Sequence, residues 1–216
     1  MPLTCRYYDV TELADPELFA RGMELLPWPD RREKALRYRF AKDQRLCVGA
    51  GLLAAHMLRQ AGARDLTLGY ADFDKPYLAN HPSIHFNLSH SGHVVACAVS
   101  DAPVGVDVEV VHDHGPAVAA YCYQPQELDW LAQADDTAHA FTRLWVRKES
   151  YIKLIGTGLS REPRSFSVIP GEPMENDAAF AEFAVHDCLL CVCAFAKAQV
   201  TPSEWKLADW GVADWG

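Results

Sequence analysis

The chain has 216 residues, of which 29 are acidic and 20 basic, and its formal net charge is −9 at pH 7. This length allows one good-sized domain or two small ones, and the mixture of apolar and charged residues is typical of a soluble globular protein. Because the sequence has neither a bilayer-spanning apolar run nor a signal-peptide pattern at its start, we expect a cytoplasmic protein that does not contact a membrane.

The seven cysteines are scattered along the chain, and three of them fall in the apolar run 188–195. That run is typical of a buried strand, and no second Cys or His pair stands nearby at the spacing of a zinc site. We therefore expect reduced thiols and no zinc.

The first half begins with a predicted strand over 3–10, and after Pro29 a helical pattern with Asp30 as N-cap runs from Arg31 to Gln60. Basic residues are concentrated at the start of that helix, and either they form a solvated surface or they cradle an anion. The acidity of the whole chain favours a small polyphosphate ligand over nucleic acid as the anion. The basic residues are Arg31, Arg32, Lys34, Arg37, Arg39, Lys42 and Arg45.

Strands are predicted next at 66–70, 84–88, 94–100 and 105–110. The second of these runs into small polar residues and Gly92. A turn of this composition binds phosphate well, although an ordinary hairpin is an equally good interpretation.

The strand at 105–110 alternates valines with two carboxylates, Asp107 and Glu109. Side chains alternate between the faces of a strand, so both carboxylates project from one side. Two like charges side by side repel each other unless a cation lies between them, and Mg²⁺ suits such a pair. A strand with one solvated face is the alternative.

The second half is predicted to contain short helices at 117–122 and 125–133, a long helix over 137–155, and strands at 165–169, 180–185 and 189–196. The tail repeats Ala-Asp-Trp-Gly at 208–211 and 213–216, and we expect it to lie on the surface or to be disordered.

The long helix presents an apolar face with Lys148 in its middle, so this lysine must snorkel or find an anionic partner. Glu149 and Lys153 lie four residues apart on the flank of that face. They form either a surface pair or, with the two strand carboxylates, part of a metal site. Glu127 begins a short helix, where the helix dipole alone favours an acidic residue.

Each half has a long helix and several strands, which predicts a pseudo-duplicated α+β chain with subdomains 1–103 and 104–216 and a site in the cleft between them. Four motifs in this order resemble those of the Sfp-type 4′-phosphopantetheinyl transferases. They are Lys75-Pro76, Phe86-Asn87-Leu88-Ser89-His90-Ser91-Gly92, Val104-Gly105-Val106-Asp107-Val108-Glu109, and Trp145-Val146-Arg147-Lys148-Glu149-Ser150-Tyr151-Ile152-Lys153 with Gly156-Thr157-Gly158-Leu159 after it. One departure is Asp74, where the family usually has glycine.

The resemblance implies the transferase fold, in which each half is a small antiparallel sheet packed on a long helix. It also implies that the phosphopantetheine arm of coenzyme A is moved to a serine of an apo acyl or peptidyl carrier protein, with release of adenosine 3′,5′-bisphosphate. Mg²⁺, with Mn²⁺ as an alternative, would be held by Asp107, Glu109 and Glu149. The residues implied to bind coenzyme A are Arg31, Lys34, Arg45, Lys75, Ser89, His90, Lys148 and Lys153.

For catalysis, Glu149 is the expected base, metal ligand or both, and Lys153 would stabilise or protonate the leaving phosphate. We expect the carrier to contact Ala117 to Tyr123, and a monomer would suffice. Two other functions stay open: a Mg²⁺-dependent hydrolase of coenzyme A or nucleotides, and a non-catalytic module that binds anions or carrier proteins.

Overall fold

The computed structural model describes residues 1–112, 114–195 and 200–210, without the side chains of Asp74 and Leu159. The fold is mixed α+β, as predicted. Its helices are α1 Pro16–Leu25, α2 Pro29–Arg37, α3 Ala41–Gln60, α4 Gly115–Cys122, α5 Pro125–Ala132 and α6 Thr137–Ile155. Its strands are β1 Thr4–Asp9, β2 Leu68–Tyr70, β3 Pro76–Leu78, β4 His85–Ser91, β5 Val94–Ser100, β6 Val104–Val110, β7 Ala178–Val185, β8 Cys188–Phe195 and β9 Ser203–Glu204.

Two sheets organise the chain, and each is covered by one long helix. The first has the strand order β4-β5-β1-β9, in which only the β1–β9 pair is parallel among the described strands. The second has the order β6-β8-β7 and is antiparallel, and β2 and β3 form a separate hairpin. Helix α3 packs on the first sheet and α6 on the second, so each helix buries an apolar face against its own sheet.

A third core joins the two sheets. The valines of β6, at positions 104, 106 and 108, pack against the alternate residues Val94, Ala96 and Ala98 of β5. Because side chains alternate between the two faces of a strand, Asp107 and Glu109 lie on the opposite face of β6 from these valines, and that face is turned towards α6. The pseudo-duplication of the halves stays a prediction.

The end of the described chain returns to the first core. Trp205, Leu207 and Trp210 are buried there, and the Trp205 amide donates a hydrogen bond of 2.8 Å to the Tyr7 carbonyl. The expectation of a surface or disordered tail is therefore wrong for Trp210, whereas Ala208 and Asp209 are exposed as expected. Gly211 and the second copy of the repeat lie outside the described residues. Because residues 203–210 pack with the first half, the predicted segment 104–216 does not pack only with itself.

Some predicted elements differ from the structure. The sequence did not predict helix α1 or the strands β3 and β9, and the strand predicted at 66–70 is shorter in the structure, as β2. The helix predicted over 31–60 is two helices, α2 and α3. It breaks at Tyr38, whose backbone is extended and whose carbonyl accepts a hydrogen bond from the Gln44 side chain. The strand predicted at 165–169 is absent, because the Val168 amide bonds to the Glu127 carboxylate instead of to a neighbouring strand.

In the part of the chain that the structure describes, no helix has both the length and the apolar character needed to cross a membrane.

Candidate functional site

Helix α6 approaches strand β6 so closely that only glycine fits at position 105. A Cβ atom on Gly105 would lie 1.9 Å from the Ser150 carbonyl oxygen and 2.6 Å from the Leu154 amide nitrogen. The missing side chain therefore allows backbone to pack directly on backbone. This contact sets Glu149 and Lys153 of α6 beside the carboxylates of β6.

Side chains of strand β4 form hydrogen bonds with the two carboxylates of β6. The Ser89 hydroxyl donates to Asp107 Oδ1 at 2.7 Å, and the Ser91 hydroxyl donates to Glu109 Oε2 at 2.6 Å. The spacing of two residues is the same on both strands, so each serine faces one carboxylate. The polar residues at the end of β4 thus hold the two carboxylates in place.

These three elements enclose a cavity of about 400 Å³, which we call the acidic cavity. It contains all three predicted metal ligands and both predicted catalytic residues. It is lined by Leu88, Ser89, His90, Asp107, Glu109, Trp145, Glu149 and Lys153.

The acidic cavity carries an excess of negative charge. The Lys153 ammonium donates to Asp107 Oδ1 at 2.6 Å and to the Ser89 hydroxyl at 3.0 Å. Asp107 is 2% exposed, and its second oxygen, Oδ2, is buried without a hydrogen-bond partner. Burial, followed by the charge of Asp107, raises the pKa of both Glu109 and Glu149 above the ordinary value for glutamate. The cavity therefore holds more negative charge than its lysine neutralises.

The donor chemistry of the acidic cavity fits a hard divalent cation. Carboxylate oxygens are what Mg²⁺ prefers, and one of those in Asp107 is buried and unsatisfied. However, no group of three or more His, Cys, Asp or Glu side chains among the described residues is arranged as a metal site. Mg²⁺ is usually held by one or two carboxylates together with water and substrate phosphates, so a complete protein cage is not required.

A larger cavity of about 960 Å³, which we call the basic cavity, adjoins the acidic cavity. Leu88 and His90 of β4 line both cavities. The cationic residues of the basic cavity come from α2, from the end of α3 and from the loop after it, and two carboxylates accompany them. They are Arg31, Lys34, Arg59, Arg64 and the acids Asp30 and Asp65. The sequence did not predict Arg59 and Arg64 as binding residues, because no local pattern distinguishes them from ordinary surface arginines near the end of a helix.

His90 stands between the two cavities. Desolvation, together with the positive charges of Lys153 and Arg31, lowers the pKa of His90, although its ring keeps contact with solvent. The imidazole is therefore neutral at pH 7 and can both donate and accept a hydrogen bond.

Two predicted cofactor-binding residues lie outside both cavities. Arg45 is partly exposed near the start of α3 and does not line the basic cavity. The Lys75 ammonium donates to the carbonyls of Lys153 and Leu154, at 2.5 and 3.4 Å, and so caps the end of α6 beside Gly156. Lys75 thus supports the helix turn that carries Lys153.

The prediction that Lys148 binds the cofactor is not supported by its position. Lys148 and Glu127 are both fully buried, with the ammonium 2.9 Å from the carboxylate. Lys148 also donates to the carbonyls of Pro163 and Phe166. Lys148 has therefore found an internal anionic partner, and Glu127 does more than complement a helix dipole.

The known proteins to which this chain is similar are named 4′-phosphopantetheinyl transferases. Residues 103–196 match the family described as the 4′-phosphopantetheinyl transferase superfamily. The chain is 34% identical over 144 residues to a 4′-phosphopantetheinyl transferase of Bacillus subtilis, covering 64% of each chain. It is 35% identical over 145 residues to the transferase Sfp of Bacillus subtilis strain 168, covering 65% of each. The transferase HetI of Nostoc is 27% identical over 179 residues, which cover 77% of this chain and 76% of HetI.

The resemblance predicted from the motifs is thereby confirmed: the chain is similar to the Sfp-type 4′-phosphopantetheinyl transferases. The chain spans a little less than two thirds of the length of these Bacillus relatives.

Proposed function

We propose that this protein transfers the 4′-phosphopantetheine arm of coenzyme A to a serine hydroxyl of an apo acyl or peptidyl carrier protein. The other product is adenosine 3′,5′-bisphosphate, and the reaction depends on Mg²⁺, for which Mn²⁺ can substitute. The observation that carries the proposal is the acidic cavity, which adjoins the basic cavity across Leu88 and His90. Coenzyme A has two separate anionic groups, a pyrophosphate and a 3′-phosphate, and the two cavities can receive one each.

The basic cavity suits the 3′-phosphate end of coenzyme A. Arg31 and Lys34 of α2 line it, and Arg31 is oriented by the hydrogen bond of 2.9 Å from its Nε to the Cys47 carbonyl. Fixed cations of this kind bind phosphate through charge-assisted hydrogen bonds. His90 lines both cavities, and its ring can form a hydrogen bond with a phosphate oxygen.

Asp107, Glu109 and Glu149 are the residues that would hold the divalent cation. When bound, the cation supplies positive charge that orients the pyrophosphate and offsets its repulsion of the incoming oxygen. Ser89 and Ser91 keep two of these carboxylates in fixed orientations through their hydrogen bonds. Such fixed groups need little rearrangement as charge develops on the phosphate oxygens.

Glu149 is suited to accept the proton of the carrier serine. Its carboxylate lines the acidic cavity beside Asp107, Glu109 and Lys153, within reach of the reacting groups. The serine oxygen forms a bond to the phosphorus that bears the pantetheine, and the bond from that phosphorus to the oxygen of the adenosine bisphosphate breaks. Lys153 lies in the same cavity and can stabilise or protonate the departing phosphate.

The exposed part of α4 is the proposed contact surface for the carrier protein. Val118 and Tyr121 are 42% and 75% exposed there, within the segment 117–123 that the sequence suggested. We expect Tyr121→Asp to raise the KM for the carrier without changing the KM for coenzyme A. Equal effects on the two constants would contradict this surface. Because one chain supplies all the residues named above, a monomer suffices.

The decisive experiment is intact mass spectrometry of several apo carriers incubated with coenzyme A, Mg²⁺ and the protein. A gain of one phosphopantetheine mass on any carrier supports the proposal. Release of adenosine bisphosphate without a carrier would instead identify a hydrolase. Salt-sensitive binding of anions or carriers with no product would identify a non-catalytic module.

A second experiment tests the place of the 3′-phosphate. Lys34→Ala should raise the KM for coenzyme A but leave that for 3′-dephospho-coenzyme A unchanged, because the latter lacks the group that Lys34 would bind. Arg37→Ala is the matched control, since Arg37 is on the same helix but pairs with Glu33 on the surface. If Lys34→Ala raises the KM equally for both substrates, the 3′-phosphate does not bind at Lys34.

A further inference from the structure

Lys153 contacts the carboxylate that the proposed function assigns to the divalent cation. We propose that Lys153 is the internal counter-cation of the acidic cavity and that it blocks cation binding until a pyrophosphate draws its ammonium away from Asp107. The cation and coenzyme A would then bind cooperatively, and the cation alone would bind weakly. This inference rests on the proposed function, because it names a role for Lys153 within the same site.

The hydrogen bonds around Asp107 carry the first step. Asp107 Oδ1 accepts from two donors, the Lys153 ammonium at 2.6 Å and the Ser89 hydroxyl at 2.7 Å, whereas the buried Oδ2 has no partner. A divalent cation on Asp107 would therefore stand beside an ammonium that is already hydrogen-bonded to the same carboxylate. Like charges at such a separation repel strongly in a partly desolvated cavity.

The Lys153 side chain is able to move while its backbone stays fixed. The side chain is 27% exposed and lies in the last turn of α6. Its carbonyl accepts a hydrogen bond from the Lys75 ammonium, so the end of the helix is held independently of the Lys153 ammonium. Lys148, on the same helix, shows the contrast, because it is fully buried and held by Glu127 and two carbonyls.

The exchange leaves both the Lys153 ammonium and the Asp107 carboxylate with a partner of opposite charge. The pyrophosphate offers the Lys153 ammonium anionic oxygens within the cavity, and the cation takes the carboxylate that the ammonium leaves. Binding of the pyrophosphate therefore favours binding of the cation, and the reverse also holds. By linkage, coenzyme A and the cation must each increase the affinity of the protein for the other by the same factor.

The test is direct binding of Mn²⁺, measured by the electron paramagnetic resonance signal of the free ion, with and without coenzyme A. For the wild-type protein we expect coenzyme A to tighten Mn²⁺ binding by about tenfold or more, within the usual range of coupling between sites. Lys153→Met removes the charge and keeps the length of the side chain. We expect this variant to bind Mn²⁺ alone about tenfold more tightly than the wild type, with a smaller effect of coenzyme A.

Two further variants act as controls. Lys153→Arg keeps the positive charge and should retain weak binding of Mn²⁺ alone, whereas Lys42→Met removes an exposed lysine of α3 and should behave like the wild type. Circular dichroism checks that each variant is folded.

The inference is overturned if Lys153→Met binds Mn²⁺ alone no more tightly than the wild type, or if neither protein binds it. Should Lys153→Met not fold, the wild type decides the matter, because equal Mn²⁺ affinity with and without coenzyme A also overturns the inference. Failure of carrier modification with the Mn²⁺ coupling intact would instead reject the proposed function and leave the role of Lys153 standing.

Discussion

Replacing Gly105 by alanine tests whether the contact between α6 and β6 positions the acidic cavity. The new Cβ atom would lie 1.9 Å from the Ser150 carbonyl oxygen, whereas real Cβ contacts are essentially never under 3.0 Å. Helix and strand must therefore separate locally by about 1.1 Å, since the obstructing atoms belong to the backbone and cannot rotate away.

We expect two consequences of Gly105→Ala. Over-packing of this kind costs about 1–3 kcal/mol of unfolding free energy, and the backbone clash places this variant at the upper end. The same displacement moves Glu149 and Lys153 away from Asp107, and a misplacement of about 1 Å can reduce the rate of a positioned reaction by about 100-fold. Urea denaturation measures the first effect, and the rate of carrier modification measures the second.

Gly22→Ala is the matched control. A Cβ atom on Gly22, within α1, would meet only side-chain atoms, of Leu52 at 3.2 Å and Val48 at 3.3 Å. Alanine is favoured over glycine in a helix by about 1 kcal/mol, so this variant should be neutral or slightly stabilised and fully active. The reasoning is refuted if Gly105→Ala unfolds at the wild-type urea concentration and modifies carriers at the wild-type rate.

Three further predictions concern stability. Glu127→Gln leaves the Lys148 ammonium buried without its charged partner and should cost about 3–5 kcal/mol in urea denaturation. A cost under about 1 kcal/mol would contradict the buried pair. Without divalent cations, Glu149→Gln should raise the Tm at pH 7–8, because the raised pKa of Glu149 in the fold penalises the charged carboxylate above that pKa. The gain in Tm should disappear as the pH falls below 4.5, the ordinary pKa of glutamate, and a gain that grows on acidification would contradict this reasoning. Trp205→Ala should cost about 3–5 kcal/mol in urea if residues 203–210 complete the first core, and a change within about 0.5 kcal/mol would show that they do not.

The features of the site that local patterns control could be predicted from the sequence. The alternation in β6 was sufficient to place Asp107 and Glu109 on one face, and helical spacing was sufficient to place Glu149 and Lys153 together. Their convergence in one cavity depends on packing between α6 and β6, so local patterns offered a shared metal site only as an alternative to a surface pair, and the family resemblance favoured the shared site.

Features set by distant contacts were beyond local patterns. The partner of Lys148 is Glu127, on another helix, so the helix of Lys148 alone could not show whether the ammonium faces a ligand or an internal acid. The break at Tyr38 is stabilised by a side chain that comes later in the chain. Arg59 and Arg64 reach the basic cavity only through the path of the chain after α3.

The return of β9 to β1 also has a consequence for how the protein is made. The Leu207 amide donates to the Glu12 carboxylate across 195 positions of sequence, and Trp205 packs in a core formed by the first hundred residues. The ribosome synthesises the N-terminal part first, so the first core cannot be completed until residues 205–210 have also been made. Acquisition of the folded state should therefore follow synthesis of the second half instead of proceeding in two independent stages during translation.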